Sequence, residues 1–318
     1  VKIVFFGTSD FAVPILEALR RETSFQVSLA VTQPDKPAGR KQVLTASPVK
    51  RAALTLGIEL FQPETLKDVA TSARLKKEKA DAFVVVAYGK ILPAAVLEIP
   101  RLGCLNVHGS LLPKYRGASP ISAAIAAGEM ETGVTIMRMD EKMDTGPILK
   151  ESRLEVREDD TTATLAKRLA DTAAEDMVPT LKLYAEGHLK PRPQDDAAAT
   201  YTKILTKEDG RVDWKKSAEE IERFFRAMKP WPEAFSKWTR KSQELKLTFK
   251  ALEVLHPNVG CAENAAPGQV FKLNDGSLAL NCGKGSIKIL KLQLEGKPET
   301  DAGSFLNGYA DIIGTVLS

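Results

Sequence analysis

The chain has 318 residues, 43% of them hydrophobic and 27% charged, and a formal net charge of +4. That length implies about two domains and a core large enough to stand without metal or disulfide staples, while the small basic excess excludes a polybasic nucleic-acid arm. Three cysteines (Cys104, Cys261 and Cys282) with no C-x-x-C spacing exclude a disulfide framework and a cysteine zinc site, and point to the reduced cytoplasm.

The amino-terminal run Val1–Phe6 is too short for a membrane span and ends in Gly7-Thr8-Ser9-Asp10, so it reads as a first buried strand rather than a signal. A helix capped by Asp10 follows, running to about Arg21. Gln26–Thr32 reads as a strand and Gln33–Ala46 as a polar loop. Ser47-Pro48 has the form of an N-cap with proline at the first helical position. Further strands are expected at Ile58–Phe61, Asp81–Ala87, Cys104–His108, Thr132–Met139 and Pro147–Leu154. Helices are expected at Leu66–Lys79, Leu92–Glu98, Pro120–Ala127 and Thr164–Glu186. This alternation predicts an α/β domain, a doubly wound and mostly parallel Rossmann-like sheet, over residues 1–187. Residues 188–205, with Pro191, Pro193, paired Asp and three adjacent Ala, read as a linker. Beyond it one amphipathic helix (217–228) precedes strand-like runs at 245–254, 268–273, 277–281 and 286–294 with glycine turns, predicting a smaller, mainly β barrel of OB-like type over 206–318.

Gly7-Thr8-Ser9-Asp10 leads from strand to helix, a place that can hold an anion, but the G-x-G-x-x-G dinucleotide fingerprint is absent. Only three histidines occur, and His188 and His256 sit in solvated contexts. His108 ends an apolar strand two residues after Asn106, so the two share a face at the carboxyl edge of the sheet, where open α/β folds bind ligands. Ser110-Leu111-Leu112-Pro113-Lys114-Tyr115-Arg116-Gly117 is a proline-broken loop beside them. Asp144-Thr145-Gly146 places a carboxylate on a turn.

Asn106-x-His108, Ser110-Leu-Leu-Pro-x-Tyr-Arg-Gly117 and Asp144-Thr-Gly146 at this spacing resemble the folate-dependent formyltransferase family. The Gly7-Thr-x-x-Phe11 start, Gln33–Arg40, Ser47-Pro-Val-Lys50 and Val85-Val-Ala-Tyr-Gly89 narrow the likeness to its tRNA-directed branch, over essentially the whole chain. The resemblance implies transfer of the formyl group of 10-formyltetrahydrofolate, with no metal, to the α-amino group of methionine on initiator tRNA. It implies catalytic roles for Asn106, His108 and Asp144: the amide holds the formyl oxygen, a protonated imidazole donates to the oxyanion, and the carboxylate pairs with that ring or relays a proton. Ser110, Leu111, Leu112, Pro113, Val86, Tyr88, Gly89 and Leu92 are implied to line the folate site. Of the tRNA contacts, Arg40 is implied to sense the weakly paired end of the acceptor stem.

Lys36, Arg40, Lys41, Lys50 and Arg51 give residues 36–51 five positive charges and no negative one, a bias suited to tRNA. Residues 206–318 hold 17 basic and 15 acidic residues, so any phosphate contacts there are local, with Lys207, Lys203, Arg211, Lys215 and Lys216 as candidates. A monomer is the simplest assembly. Other readings of the same motifs are transfer to a sugar nucleotide or to glycinamide ribonucleotide, hydrolysis of the formyl donor, and a tRNA-binding protein on a retired enzyme fold.

Overall fold

Ile3, Val4, Phe5 and Phe6 are wholly buried, so the first strand β1 (Lys2–Gly7) is covered on both faces and lies inside a sheet. The computed structural model describes residues 1–39, 42–255 and 266–318. It divides into two compact units: Val1–Pro120, Glu131–Val156 and Thr164–Lys203 form the first, and Ile121–Met130, Arg157–Ala163 and Ile204–Ser318 the second.

The first unit contains β2 (Gln26–Val31), β3 (Leu60–Phe61), β4 (Ala82–Val86), β5 (Cys104–His108), β6 (Glu131–Arg138) and β7 (Ile148–Glu155) besides β1. Their spatial order is β7-β6-β5-β4-β1-β2-β3. The five strands β1–β5 run parallel, and β6 and β7 add an antiparallel pair at one edge. The chain leaves β1 toward β2 and β3, then returns to lay β4 on the other side. That reversal puts the topological switch point between β1 and β4, where Gly7 pairs with Val86. Helices α1 (Val13–Arg21), α2 (Pro48–Thr55), α3 (Val69–Lys77), the short α4 (Ala94–Leu97) and α6 (Thr162–Ala185, nearly all in this unit) accompany the sheet, and α5 (Pro120–Ala127) falls almost wholly in the second unit. The Ser47 hydroxyl accepts from the Lys50 amide at 3.0 Å and starts α2 where Ser-Pro predicts, a cap worth about 1 kcal/mol. Asp68 caps α3 in the same way. The expected polar loop 33–46 contains a short hairpin, Lys36–Ala38 against Val43–Thr45.

The second unit holds α7 (Ala218–Ala227), opened by a reciprocal Ser217–Glu220 capping box. Its antiparallel sheet is built from β8 (Phe235–Arg240), β9 (Gln243–Val254), β10 (Val270–Lys272), β11 (Leu278–Asn281), β12 (Ser286–Leu294) and β13 (Thr300–Asp301). The order is β8-β9-β12-β11-β10, with β13 also on β12. Register shifts along the β9–β12 pair near Ala251 bend these long strands, and the sheet curls into a half-barrel. Trp214, Trp238, Phe249, Phe305 and the apolar face of α7 fill it. Among the described residues, no helix is long and apolar enough to cross a membrane.

Candidate active site

The carboxyl ends of β1, β4 and β5 meet at the switch point. Thr8 Oγ1, just past β1, donates to the Tyr88 carbonyl beyond β4 at 2.9 Å, and Gln33 Nε2 donates to the same oxygen at 2.7 Å. These bonds fix a stretch in which Ala87 and Gly89 both take positive φ. Glycine suits position 89, because φ is +78° there and an added Cβ would also lie 2.6 Å from Gln33 Nε2 and displace that side chain.

On β5, the parallel ladder with β4 sets Asn106 opposite Val85 and carries His108 to the strand end. Asp144 arrives from the loop between β6 and β7. The structure brings the three side chains together: Asn106 Nδ2 lies 3.5 Å from Asp144 Oδ1, and His108 Nδ1 lies 3.6 Å from Asp144 Oδ2. His108 is only 6% exposed. Its Nε2 sits 2.9 Å from the Tyr115 carbonyl, an oxygen that can only accept, so Nε2 carries the proton and Nδ1 is the ring atom facing the carboxylate. The Gly117 amide donates to Asp144 Oδ2 at 2.8 Å. One tripeptide, Tyr115–Gly117, therefore holds the imidazole by a carbonyl and the carboxylate by an amide.

This arrangement is strained. Tyr115 and Asp144 both adopt left-handed φ, +60° and +53°, each costing on the order of 1–3 kcal/mol in a non-glycine residue. Gly146 lies so close to β6 that an added Cβ would fall 1.8 Å from the Arg138 carbonyl. The strain is held by residues 191–203. Arg192 and Ile148 exchange two main-chain hydrogen bonds, and Tyr201–Thr202 pairs in parallel with Arg116–Gly117. Gln194 Nε2 donates to the carbonyls of Asp144 and Gly146 at 2.9 and 2.7 Å. Most of the segment read as a linker from its composition is thus seated against the loop of the site, because its backbone finds partners in the 113–117 region.

The residues expected to line a folate site present themselves differently. Ser110 is fully buried and its hydroxyl donates to the Lys114 carbonyl at 2.7 Å. Leu112 packs with Met137 and Ile148, and Leu111 lies against Gly133 of β6. Pro113 follows a cis peptide, and its carbonyl accepts from the Thr200 amide. Val86, Tyr88 and Leu92 are buried, the last two in the core cluster with Phe6 and Phe83. The Tyr88 ring stands edge-on to Phe6, and burial pushes its phenol up to about 12. Gly89 alone of this group is exposed, between exposed Ala87 and Ile91. At this edge Ala87 and Gly89 are exposed, as are apolar Ile91 and Met143 in the flanking loops.

Of the basic residues, Lys36 is exposed and its Nζ donates to Gln33 Oε1 at 2.6 Å. Arg40 and Lys41 lie outside the described residues. Lys50 is ion-paired with Asp35 at 2.7 Å. The Lys50 hydrogen bond, and then that from Gln62, hold the Asp35 carboxyl below its usual range. Lys207 is exposed on a turn of the second unit, beside the Thr206–Asp209 capping box. Lys215 and Lys216 are exposed on the same unit.

Two groups escaped the reading of residues alone. Arg116 is 1% exposed in spite of its charge, and Gln194 lies in a stretch whose composition signals a tether. The signal for Arg116 was an arginine inside a short, proline-broken loop beside Asn106 and His108. For Gln194 there was none.

Residues 1–181 match the family described as formyl transferase, and residues 204–310 match the formyl transferase C-terminal domain. A methionyl-tRNA formyltransferase of Methylobacillus flagellatus is 45% identical, over 97% of this chain and 96% of that protein. One of Caldanaerobacter subterraneus is 43% identical over 100% of both. Among solved structures, HypX from Aquifex aeolicus, in complex with tetrahydrofolic acid, aligns with 98% of this chain at 18% identity and a TM-score of 0.61. The present chain spans about half the length of that protein, 48%, and the likeness is one of fold.

Proposed function

Since the chain belongs to the methionyl-tRNA formyltransferase family, we infer that Asn106, His108 and Asp144 carry the transfer of a formyl group to the amine of methionine on initiator tRNA. The observation supporting this reading most directly is the meeting of an amide, an imidazole and a carboxylate beyond the switch point. The donor is 10-formyltetrahydrofolate. We place its ring at the edge formed by exposed Ala87 and Gly89, with Ile91 and Met143 as apolar flanks. Translation initiation places the work in the cytoplasm.

The reaction forms a bond between the methionine nitrogen and the formyl carbon, and breaks the bond from that carbon to N10 of the folate. The formyl oxygen gains negative charge in between. Asn106 Nδ2 is only loosely engaged at 3.5 Å and is free to donate to that oxygen. His108 has already spent Nε2 on the Tyr115 carbonyl, so its contribution comes from Nδ1. When protonated, Nδ1 donates to the charged oxygen, and Asp144 beside it balances the imidazolium. Asp144 Oδ2 is held by the Gly117 amide, which leaves Oδ1 to accept the proton released by the amine. As it departs, N10 regains the proton that Asp144 took from the amine.

Exposed Lys36 and the neighbouring Arg40 and Lys41 approach the acceptor stem, and Lys207 supplies a phosphate contact from the second unit. Lys50 braces the base of the hairpin through Asp35. The experiment that tests the reading gives the purified protein 10-formyltetrahydrofolate with and without methionyl-tRNA. The expected result is formylmethionyl-tRNA when the acceptor is present and little free formate when it is absent. Equal formate release in both tubes would make the protein a hydrolase.

A further inference from the structure

The side chain of Gln194 has every hydrogen-bonding group engaged, and all its partners belong to the walls of the site. Its two N–H groups go to the carbonyls of Asp144 and Gly146, at 2.9 and 2.7 Å. Its carbonyl oxygen accepts from Arg116, at 2.8 Å from Nη2 and 3.1 Å from Nε. Arg116 is buried, bonded also to Asp196 Oδ1 at 2.6 Å and Tyr201 Oη at 3.2 Å, with its guanidinium over the Tyr201 ring. Burial alone would weaken its protonation, but the bonds to Asp196 and Tyr201 outweigh that and raise its pKa. Its main-chain neighbours are the two peptide groups that hold His108 and Asp144.

We propose that Gln194 is a positioning residue for formyl transfer, whose carboxamide fixes the Asp144 turn and, through Arg116, the Tyr115–Gly117 peptides that aim both His108 and Asp144. The physical need is clear from the backbone. Asp144 sits at φ +53°, a left-handed conformation that costs a non-glycine residue on the order of 1–3 kcal/mol, and its carbonyl accepts from Gln194 Nε2. Two donated hydrogen bonds at that turn keep the carboxylate where the Gly117 amide can meet it. A glutamine is required because one side chain must donate to two carbonyls and accept from a guanidinium at once. A glutamate keeps the shape and the Arg116 bond but repels both carbonyls. Residues 191–203 therefore complete the catalytic unit rather than only joining two domains.

The inference rests on the formyl-transfer reading, and the test separates the two. Gln194→Glu and Gln194→Met are compared with wild type for thermal stability, kcat and both KM values. The Gln194→Glu measurement is repeated in an Asp144→Asn background. A displacement of about 1 Å in catalytic geometry costs roughly 10²-fold in rate. The expected result for Gln194→Glu is therefore a kcat lower by about that factor, with KM values within about threefold and stability near wild type because the Arg116 pair remains. In Asp144→Asn protein the same change should cost less than about threefold, since the group it positions is already disabled. Gln194→Met, which loses all the bonds, should also lose kcat. A Gln194→Glu protein with wild-type kcat, a loss of kcat that tracks a fall in folded fraction, or full additivity with Asp144→Asn would overturn the proposal. Absence of formyl transfer by the wild-type protein would instead remove the reading on which it stands.

Discussion

Replacing Asp144 with asparagine isolates charge from shape. The asparagine oxygen can keep the 2.8 Å bond from the Gly117 amide, so the turn should persist. What is lost is the negative charge 3.6 Å from His108 Nδ1 and the acceptor for the amine proton. At an effective dielectric of about 20, that separation corresponds to roughly 4–5 kcal/mol between unit charges. Asp144 is partly exposed, so solvent screens some of this, and about 3–4 kcal/mol is a fair working value. Each 1.36 kcal/mol is tenfold in rate, so kcat for Asp144→Asn should fall by about 10²–10³. Steady-state formylation at saturating folate and methionyl-tRNA measures it, with KM values and thermal melting as controls. A fall of less than about tenfold in folded protein would refute the role assigned to this carboxylate.

Other outcomes follow from the same geometry. Gly117→Ala places a Cβ 2.2 Å from the Thr202 carbonyl at φ +110°, so the first unit should lose at least about 2 kcal/mol of stability by denaturant titration, together with most activity. An unchanged midpoint would show that the 113–117 loop is looser than described. Lys36→Ala should lower the salt slope of tRNA binding by about one, whereas Lys50→Ala, already paired with Asp35, should leave the slope unchanged. Equal slope losses would mean that Lys50 abandons Asp35 for phosphate. The Ser24 amide, and then Lys182, bring the Glu22 carboxyl from 4.5 down to about 2. A folded pKa below the unfolded one gives stability that is present above about 4.5 and is lost as pH falls toward 2. Glu22→Gln should therefore make thermal stability less dependent on pH within that window, and an unchanged acid limb would contradict it.

Much of the sheet could be read in the residues, because β1 and β4 carry unbroken apolar runs, β5 is apolar apart from Asn106 and His108, and Ser47-Pro48 is a local cap. The site was legible as far as its chemistry depends on strand phase: Asn106 and His108 share a face because side chains alternate along β5. The rest depends on contacts between distant segments. Gln194 reaches carbonyls 48 and 50 residues away, and nothing in Pro-Gln-Asp-Asp encodes that. Tyr88 is implied by resemblance to line the folate site, but its ring packs in the core cluster and its carbonyl accepts from Thr8 and Gln33, between neighbours at positive φ. In the second unit, β8 follows Lys229-Pro-Trp-Pro232, whose prolines signal a loop, and α8 (Ala302–Tyr309) contains two glycines that mask a helix capped by Asp301.

The most direct test mixes the protein and 10-formyltetrahydrofolate with methionine carried on initiator tRNA, methionine carried on elongator tRNA, an amino-sugar nucleotide or glycinamide ribonucleotide. Rapid formylation of the initiator species alone is the expected result. Equal rates on both tRNAs, or preference for either small amine, would contradict it.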